Sequence, residues 1–338
     1  MLKAIALRNF GPLTSLEWSK LGPINLIIGP NGAGKTMLLK ALYSAMRTLE
    51  EHKRGADQRT AAEILWEKLY WTFQLDKIGD LVTKGAQDSL SCSLNLDNGS
   101  FSYGFGRDTT KQIALLKNDM PPRTSNSIFI PAKEVLSLHQ IIIRSRERER
   151  EFGFDDTYYD LAKALAQSTK KGRNYKEFAE ARTKLTEEIT GGRVIFDDAS
   201  QNWQFKIGNQ KYSIGVTAEG IKKVAILDTL LGNRYLDTNS LVFIDEPEAA
   251  LHPQAVSKFL DIIFMLAQSG LQFFMASHSY FVIKKLFLIS QKYDIAIPVM
   301  SAHDGGWTGG DLREGMPDNA IIDESIRLYK EEIELALQ

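Results

Sequence analysis

The stretch that most constrains this chain is residues 29–36, Gly-Pro-Asn-Gly-Ala-Gly-Lys-Thr, which satisfies G-x-x-x-x-G-K-[ST]. Ahead of it, Ile24, Leu26, Ile27 and Ile28 make residues 23–28 read as a buried strand. Behind it, residues 37–46 read as a helix with Leu38, Leu39, Leu42 and Met46 on one side. Strand, glycine loop and helix are the context that a phosphate-binding loop requires. Glycines let backbone N–H groups curl around an anion, and the helix N-terminus adds its positive end. Lys35 is then expected to reach β- and γ-phosphates, and the Thr36 hydroxyl to hold Mg²⁺.

Composition narrows the rest. The 338 residues allow one large α/β domain or two smaller ones, and 43% hydrophobic with 25% charged residues fits a soluble globular protein. A net charge of −1 supplies no global field toward nucleic acid or an anionic membrane, so any DNA contact must come from a local patch. One cysteine, Cys92, excludes an intramolecular disulfide framework and suits a reducing compartment. No apolar run reaches membrane-span length, and the N-terminus reads as a strand rather than a signal peptide. The expectation is a cytoplasmic protein without a membrane partner.

Along the chain, Leu2–Phe10 and Leu13–Trp18 read as an antiparallel pair, and residues 50–59 as a charged loop. Residues 61–82 carry helical periodicity, and residues 89–96 and 100–105 form a hairpin across Asp97-Asn98-Gly99. Residues 127–131 read as a short buried strand, and residues 140–190 as a mostly helical insert. Within the insert, Arg and Glu alternate over residues 144–151, either a solvated face with internal charge pairing or a docking surface for a partner or phosphate backbone. Lys170, Lys171, Arg173 and Lys176 form a second basic cluster, most simply surface. Residues 194–198, 203–207 and 211–214 read as three antiparallel strands, followed by a helix over 221–231. Next come a strand over 240–244, a helix over 253–267, a strand over 271–276 and a helix over 280–290. A strand over 295–300, a glycine-rich loop over 301–317 and a closing helix over 320–337 complete the chain.

The strand over 240–244 delivers two carboxylates, Asp245 and Glu246, at its C-terminal end. Beside a phosphate loop, Asp245 can bind Mg²⁺ directly or through water, and Glu246 can polarise an attacking water. One helix later the next strand ends in Met275-Ala276-Ser277-His278-Ser279, where His278 can point at a γ-phosphate. With Leu7-Arg8-Asn9-Phe10 at the start and Glu246-Pro247-Glu248-Ala249-Ala250-Leu251-His252-Pro253 after the acidic strand, the chain resembles the ABC-class ATPase heads of the SMC, RecF and OLD branch. The resemblance covers residues 1–42 and 216–290 and leaves the middle insert unassigned.

It implies an α/β P-loop NTPase fold: an ABC-ATPase head with a mostly parallel core sheet, an antiparallel β subdomain and a helical insert. Residues 1–338 would be a single head. Within it, 140–190 would be the insert, 191–235 the hairpins and signature helix, 236–300 the core from Walker B to the switch histidine, and 301–338 a C-terminal loop and helix. ATP and Mg²⁺ are the implied cofactors. Asn31, Gly32, Ala33, Gly34, Lys35 and Thr36 would cradle the nucleotide as Walker A, with Thr36 and Asp245 on the metal. Glu246 would be the catalytic glutamate, His278 the switch histidine, and Lys35 would act with them. Residues 249–252 occupy the D-loop position, with His252 in place of aspartate.

In such heads a signature motif reaches the nucleotide from a second protomer. Its best match is Ala218-Glu219-Gly220-Ile221-Lys222-Lys223, where Ala218 replaces a common serine, removing one hydroxyl contact to the γ-phosphate. Gly220, backbone N–H groups and one of Lys222 or Lys223 would still serve. Gln140 is favoured over Gln74 as the Q-loop glutamine because it follows the strand over 127–131.

No long heptad arms are present for an SMC-like role, and no paired carboxylates on core strands after His278 for a nuclease. The reading is a slow ATPase that forms a homodimer or higher oligomer. It would act as sensor or scaffold for a separate nuclease or toxin effector in anti-phage defence or a toxin–antitoxin module. The alternative is a RecF-like DNA-maintenance ATPase that clamps DNA, and a third reading is a nucleotide-locked structural protein.

Overall fold

The computed structural model of the chain describes residues 1–167, 176–197, 199–303 and 306–337. The first half runs β1 (Leu2–Phe10), β2 (Leu13–Trp18), β3 (Ile24–Ile28), α1 (Lys35–Glu51), α2 (Ala61–Phe73), β4 (Leu90–Leu96), β5 (Gly99–Phe105), β6 (Leu115–Asn118) and β7 (Ile128–Ile130). A helical stretch follows with α3 (His139–Arg144), α4 (Asp156–Leu165) and α5 (Lys176–Lys184), then β8 (Arg193–Asp197), β9 (Asn202–Ile207) and β10 (Gln210–Ser213). The remainder is α6 (Glu219–Gly232), β11 (Leu241–Asp245), α7 (Pro253–Gln268), β12 (Gln272–Ser277), α8 (Tyr280–Tyr293), β13 (Pro298–His303), β14 (Gly306–Asp311) and α9 (Ala320–Ala336).

Six strands form the central sheet in the order β14-β13-β3-β12-β11-β7, parallel except for β14 at one edge. Its middle strands are buried on both faces, so they read as continuous apolar runs rather than as an alternation. Alternate residues still face opposite ways. Val242 and Ile244 enter a core shared with α4 to α8, while Leu241 and Phe243 enter a second core. That second core lies beneath α1, α2 and an antiparallel sheet ordered β2-β1-β4-β5-β6. β8, β9 and β10 form a separate antiparallel sheet. This is the mixed α/β head expected from the sequence, with a mostly parallel core and antiparallel additions.

Three local expectations are corrected. Residues 50 and 51 belong to α1, not to a loop. Glu50 is fully buried and accepts hydrogen bonds from the Ser127 amide (2.9 Å) and hydroxyl (2.5 Å), while Arg47 pairs with Glu50, Glu51 and Asp160. Lys68 joins this cluster through Glu51, Asp156 and Asp160, so the charges that suggested a loop are engaged in a buried network behind the helix. The helix expected over 61–82 stops at Phe73, because Gln74 takes the left-handed conformation (φ 52°) and a short 3₁₀ turn follows at Ile78–Leu81. The glycine-rich segment after residue 300 is a hairpin: β13 runs on to His303 and pairs antiparallel with β14. Strand β6 was not expected.

Within the Arg/Glu run of residues 144–151, Arg144, Arg146, Glu147 and Glu149 find partners in the chain. Arg146 stacks on Trp71 (3.5 Å to the ring centroid) and bonds Asp156 (3.2 Å), Tyr159 donates to Glu147, and Arg144 pairs with Glu149. Of the second basic cluster, Lys170, Lys171, Arg173 and the Lys176 side chain lie outside the described residues. Among the described residues, no helix is long and apolar enough to cross a membrane.

Candidate functional site

Three parallel strands deliver the predicted residues to one rim of the sheet. β12 lies between β3 and β11, and the register pairs Ser277 with Ile28 and Asp245 with Ala276. The strand ends are therefore level to within a residue. At a spacing of about 4.8 Å per strand, the ends of β3 and β11 are about 10 Å apart.

The loop after β3 curls through left-handed backbone, with Gly34 at φ 96° immediately before α1. A side chain at Gly34 would be strained there and would also press on Pro12 (2.9 Å) and Leu13 (3.0 Å). No side chain caps α1, so its first N–H groups keep no side-chain partner. The Lys35 ammonium folds back on its own loop, donating to the carbonyls of Gly29 (2.8 Å) and Pro30 (2.9 Å). Burial lowers its pKa, against the pull of Asp245, Glu246 and Glu248. Asn31 and Gly32 are exposed at the loop tip, and Ala33 is half-buried.

The two predicted metal residues meet directly: the Thr36 hydroxyl donates to Asp245 Oδ2 at 2.9 Å. Burial pushes the Asp245 carboxyl up, and the Thr36 hydrogen bond opposes that shift. Among the described residues, no group of three or more His, Cys, Asp or Glu side chains could hold a metal by itself. One hydroxyl and one carboxylate instead fit Mg²⁺, a hard ion that commonly completes its shell with water and substrate phosphate oxygens.

Glu246 stands in the left-handed region (φ 49°), with its N–H bonded to the Ala276 carbonyl at 2.9 Å. Its side chain remains partly exposed, and Oε1 lies 3.4 Å from His278 Nδ1. Glu248 joins the group as a residue not expected there. Its Oε1 accepts from the Ser277 hydroxyl (2.8 Å) and the His278 amide (3.3 Å), and lies 3.8 Å from His278 Nδ1. No local pattern announces it, because residues 247–250 form a turn after the left-handed Glu246 and that turn brings Glu248 back to the end of β12.

The predicted signature residues stand apart from this group. Ala218 precedes α6 without a side-chain cap, and Glu219 is exposed. Gly220 packs against the 249–252 segment: a Cβ there would lie 2.4 Å from the Ala250 carbonyl oxygen and 2.8 Å from Leu251. Among the described residues, no hydrogen bond or ion pair links residues 218–220 to residues 29–36. The expectation that Lys222 or Lys223 faces a nucleotide is corrected, because both are buried inward. Lys222 reaches Glu134, Ser137 and Glu219, while Lys223 donates to the carbonyls of Asp245 (3.0 Å) and Glu246. Burial lowers the Lys223 pKa to about 8. His252 caps α7 through Nδ1, which accepts from the Gln254 amide.

Gln140 donates to the Gln201 carbonyl at the β8–β9 turn (3.0 Å). With its amide oxygen turned toward them, Gln74 accepts from the N–H groups of Gly153 (3.1 Å) and Asp155 (3.3 Å). Asp155 in turn holds Lys40 of α1 at 2.6 Å, and Lys40 acts electrostatically on Asp245. That connection ties Gln74, rather than the favoured Gln140, to the phosphate-loop helix.

Comparison with known proteins bears on the fold and the family. No curated protein matches the chain. Among solved structures, an SMC head bound to the C-terminal winged-helix domain of ScpA superposes with a TM-score of 0.53 at 15% identity, covering 92% of this chain and 97% of that one. The SMC head domain from Thermotoga maritima gives 0.48 at 14% identity, with coverages of 92% and 98%. The first likeness establishes an SMC-head-like fold. Residues 106–284, which include Asp245, Glu246 and His278, match the model of the family described as "AAA domain, putative AbiEii toxin, Type IV TA system". The chain belongs to that AAA-domain family, and its fold is that of an SMC head.

Proposed function

We propose that the chain binds and hydrolyses ATP with Mg²⁺ at this rim, and that two copies close face to face over the nucleotide. The observation that carries the reading is the 2.9 Å contact between Thr36 and Asp245, beside the uncapped start of α1 and below the Glu246–His278 pair. Bound Mg²⁺ would supply charge neutralisation across the phosphates, held by Thr36 and Asp245. Lys35 would exchange its loop carbonyls for phosphate oxygens, Glu246 would accept a proton from the attacking water, and His278 would hold the γ-phosphate. α6 and α8 also begin without side-chain caps, so three uncapped helix starts coincide with the three segments assigned to phosphate contact.

The family description names a type IV toxin–antitoxin system, and within such a module or in anti-phage defence we read the head as a cytoplasmic sensor or scaffold for a separate effector. Titration calorimetry with Mg·ATP, followed by light scattering with and without ATP, tests the site. Binding, with a doubling of mass when hydrolysis is blocked, is expected. A chain that binds no ATP at millimolar concentration overturns the reading. Tight DNA binding that falls steeply with salt would replace the effector role with the DNA-clamp alternative.

A further inference from the structure

We propose that Glu248 is a positioning residue, a bracket that fixes the corner between β12 and α8 and thereby aims His278. The inference rests on the reading of His278 as a phosphate-facing group and goes beyond it by assigning what holds that group. Three consecutive residues depend on one carboxylate oxygen. Glu248 Oε1 accepts from the Ser277 hydroxyl and the His278 amide, and Ser277 Oγ accepts from the Ser279 amide at 3.0 Å. The chain therefore leaves the strand with its direction set before α8 starts, and α8 has no side-chain cap of its own.

The other oxygen shows that this arrangement is costly. Glu248 Oε2 is buried and has no hydrogen-bond partner. A carboxylate oxygen in that position destabilises the fold unless nearby charge offsets it. Lys35 and Lys223 supply that charge, and both interact electrostatically with Glu248. What the carboxylate supplies to the corner is the acceptor oxygen for Ser277 and His278, while Lys35 and Lys223 offset the charge that comes with it.

Two variants and two measurements test the bracket. In Glu248→Ala, kcat for ATP should fall about tenfold with KM nearly unchanged, the scale of losing one charge-assisted hydrogen bond in the transition state. Glu248→Gln retains an acceptor for Ser277 and His278 and should recover turnover to within about threefold of wild type. A Glu248→Gln variant as slow as Glu248→Ala overturns the proposal, because hydrogen-bond bracketing would then not be the cause.

The second measurement needs no nucleotide. In protein labelled with ¹⁵N-histidine, the His278 ring signals are identified by their loss in His278→Ala. They should shift or broaden in Glu248→Ala while the other four histidines stay put, and remain near wild type in Glu248→Gln. Unmoved His278 signals in Glu248→Ala overturn the bracket. Wild-type protein without ATP turnover but with this histidine response would sink the ATPase reading and leave the bracket standing.

Discussion

The phosphate loop and the signature helix are both uncapped helix starts, yet the chain treats them in opposite ways. At α1, polar side chains point into the site: Thr36 bonds Asp245, and Lys35 lies over its own loop, ready to exchange carbonyls for phosphate. At α6 the open end carries none, because both lysines turn inward, Lys223 to the carbonyls of Asp245 and Glu246. Lys222 and Lys223 are buried beneath the helix, Gly220 is pressed on the Ala250 carbonyl, and the open end offers little beyond backbone. The first terminus can grip a phosphate with groups of its own chain, while the second is a rigid platform fastened to the 245–251 segment. A platform that carries no phosphate partner in its own chain suits use by another copy.

The comparison breaks first at Glu246. Changing it to glutamine should lower turnover by about 10²- to 10⁴-fold, the usual range for a general base, while ATP affinity holds and the closed dimer accumulates. Wild-type turnover in that variant removes Glu246 from the chemistry. Lys35→Ala should weaken ATP binding by roughly 10- to 100-fold, since hydrogen bonds to charged groups are worth about 1.5–3 kcal/mol. Its stability should also fall by about 1–3 kcal/mol, because the buried Gly29 carbonyl is left without its donor. Undiminished binding, read by calorimetry, would dissociate the loop from its proposed ligand.

Lys223→Met probes the fastening of the second region. The methionine fills similar space but leaves the carbonyls of Asp245 and Glu246 without their donor, at a cost of about 1–3 kcal/mol in urea unfolding. Turnover should fall as well, because Glu246 sits in a left-handed conformation flanked by those two carbonyls. Stability loss with full turnover would confine Lys223 to structure.

The sequence made the first region legible because its chemistry is local. Eight contiguous residues and one apolar strand ending in two carboxylates mark Lys35, Thr36, Asp245 and Glu246 as candidates, and the parallel strands bring them to one rim. The second region is less legible because burial is not local. Nothing in Lys222-Lys223 announces that both ammonium groups turn inward, and nothing around Gly220 announces that Ala250 packs against it. Glu50 and Glu51 escape for the same reason: their buried partners lie on α1 itself, on α2 and beside β7, with Ser127 lying 77 residues from Glu50. Gln74 ended a helix that periodicity continued, since a single left-handed residue leaves the apolar pattern unchanged. The 301–317 segment looked like a loop because its glycines hide a hairpin whose outer strand buries little.

The smallest expected effect is also the sharpest. Ala218→Ser restores a hydroxyl at the cap of α6, where two different partners compete for it. If the hydroxyl caps its own helix, the isolated chain gains about 1 kcal/mol of stability whether or not ATP is present. If it instead reaches a phosphate held by another copy, the unfolding curve without nucleotide stays put. The ATP-bound dimer then tightens by up to about tenfold, the worth of one added hydrogen bond. Urea unfolding without nucleotide and sedimentation with ATP in a Glu246→Gln background separate the two. A gain confined to the ATP-bound dimer fits the platform reading. A gain confined to the free chain means that the helix start serves its own fold, and the two regions are then less different than their side chains suggest.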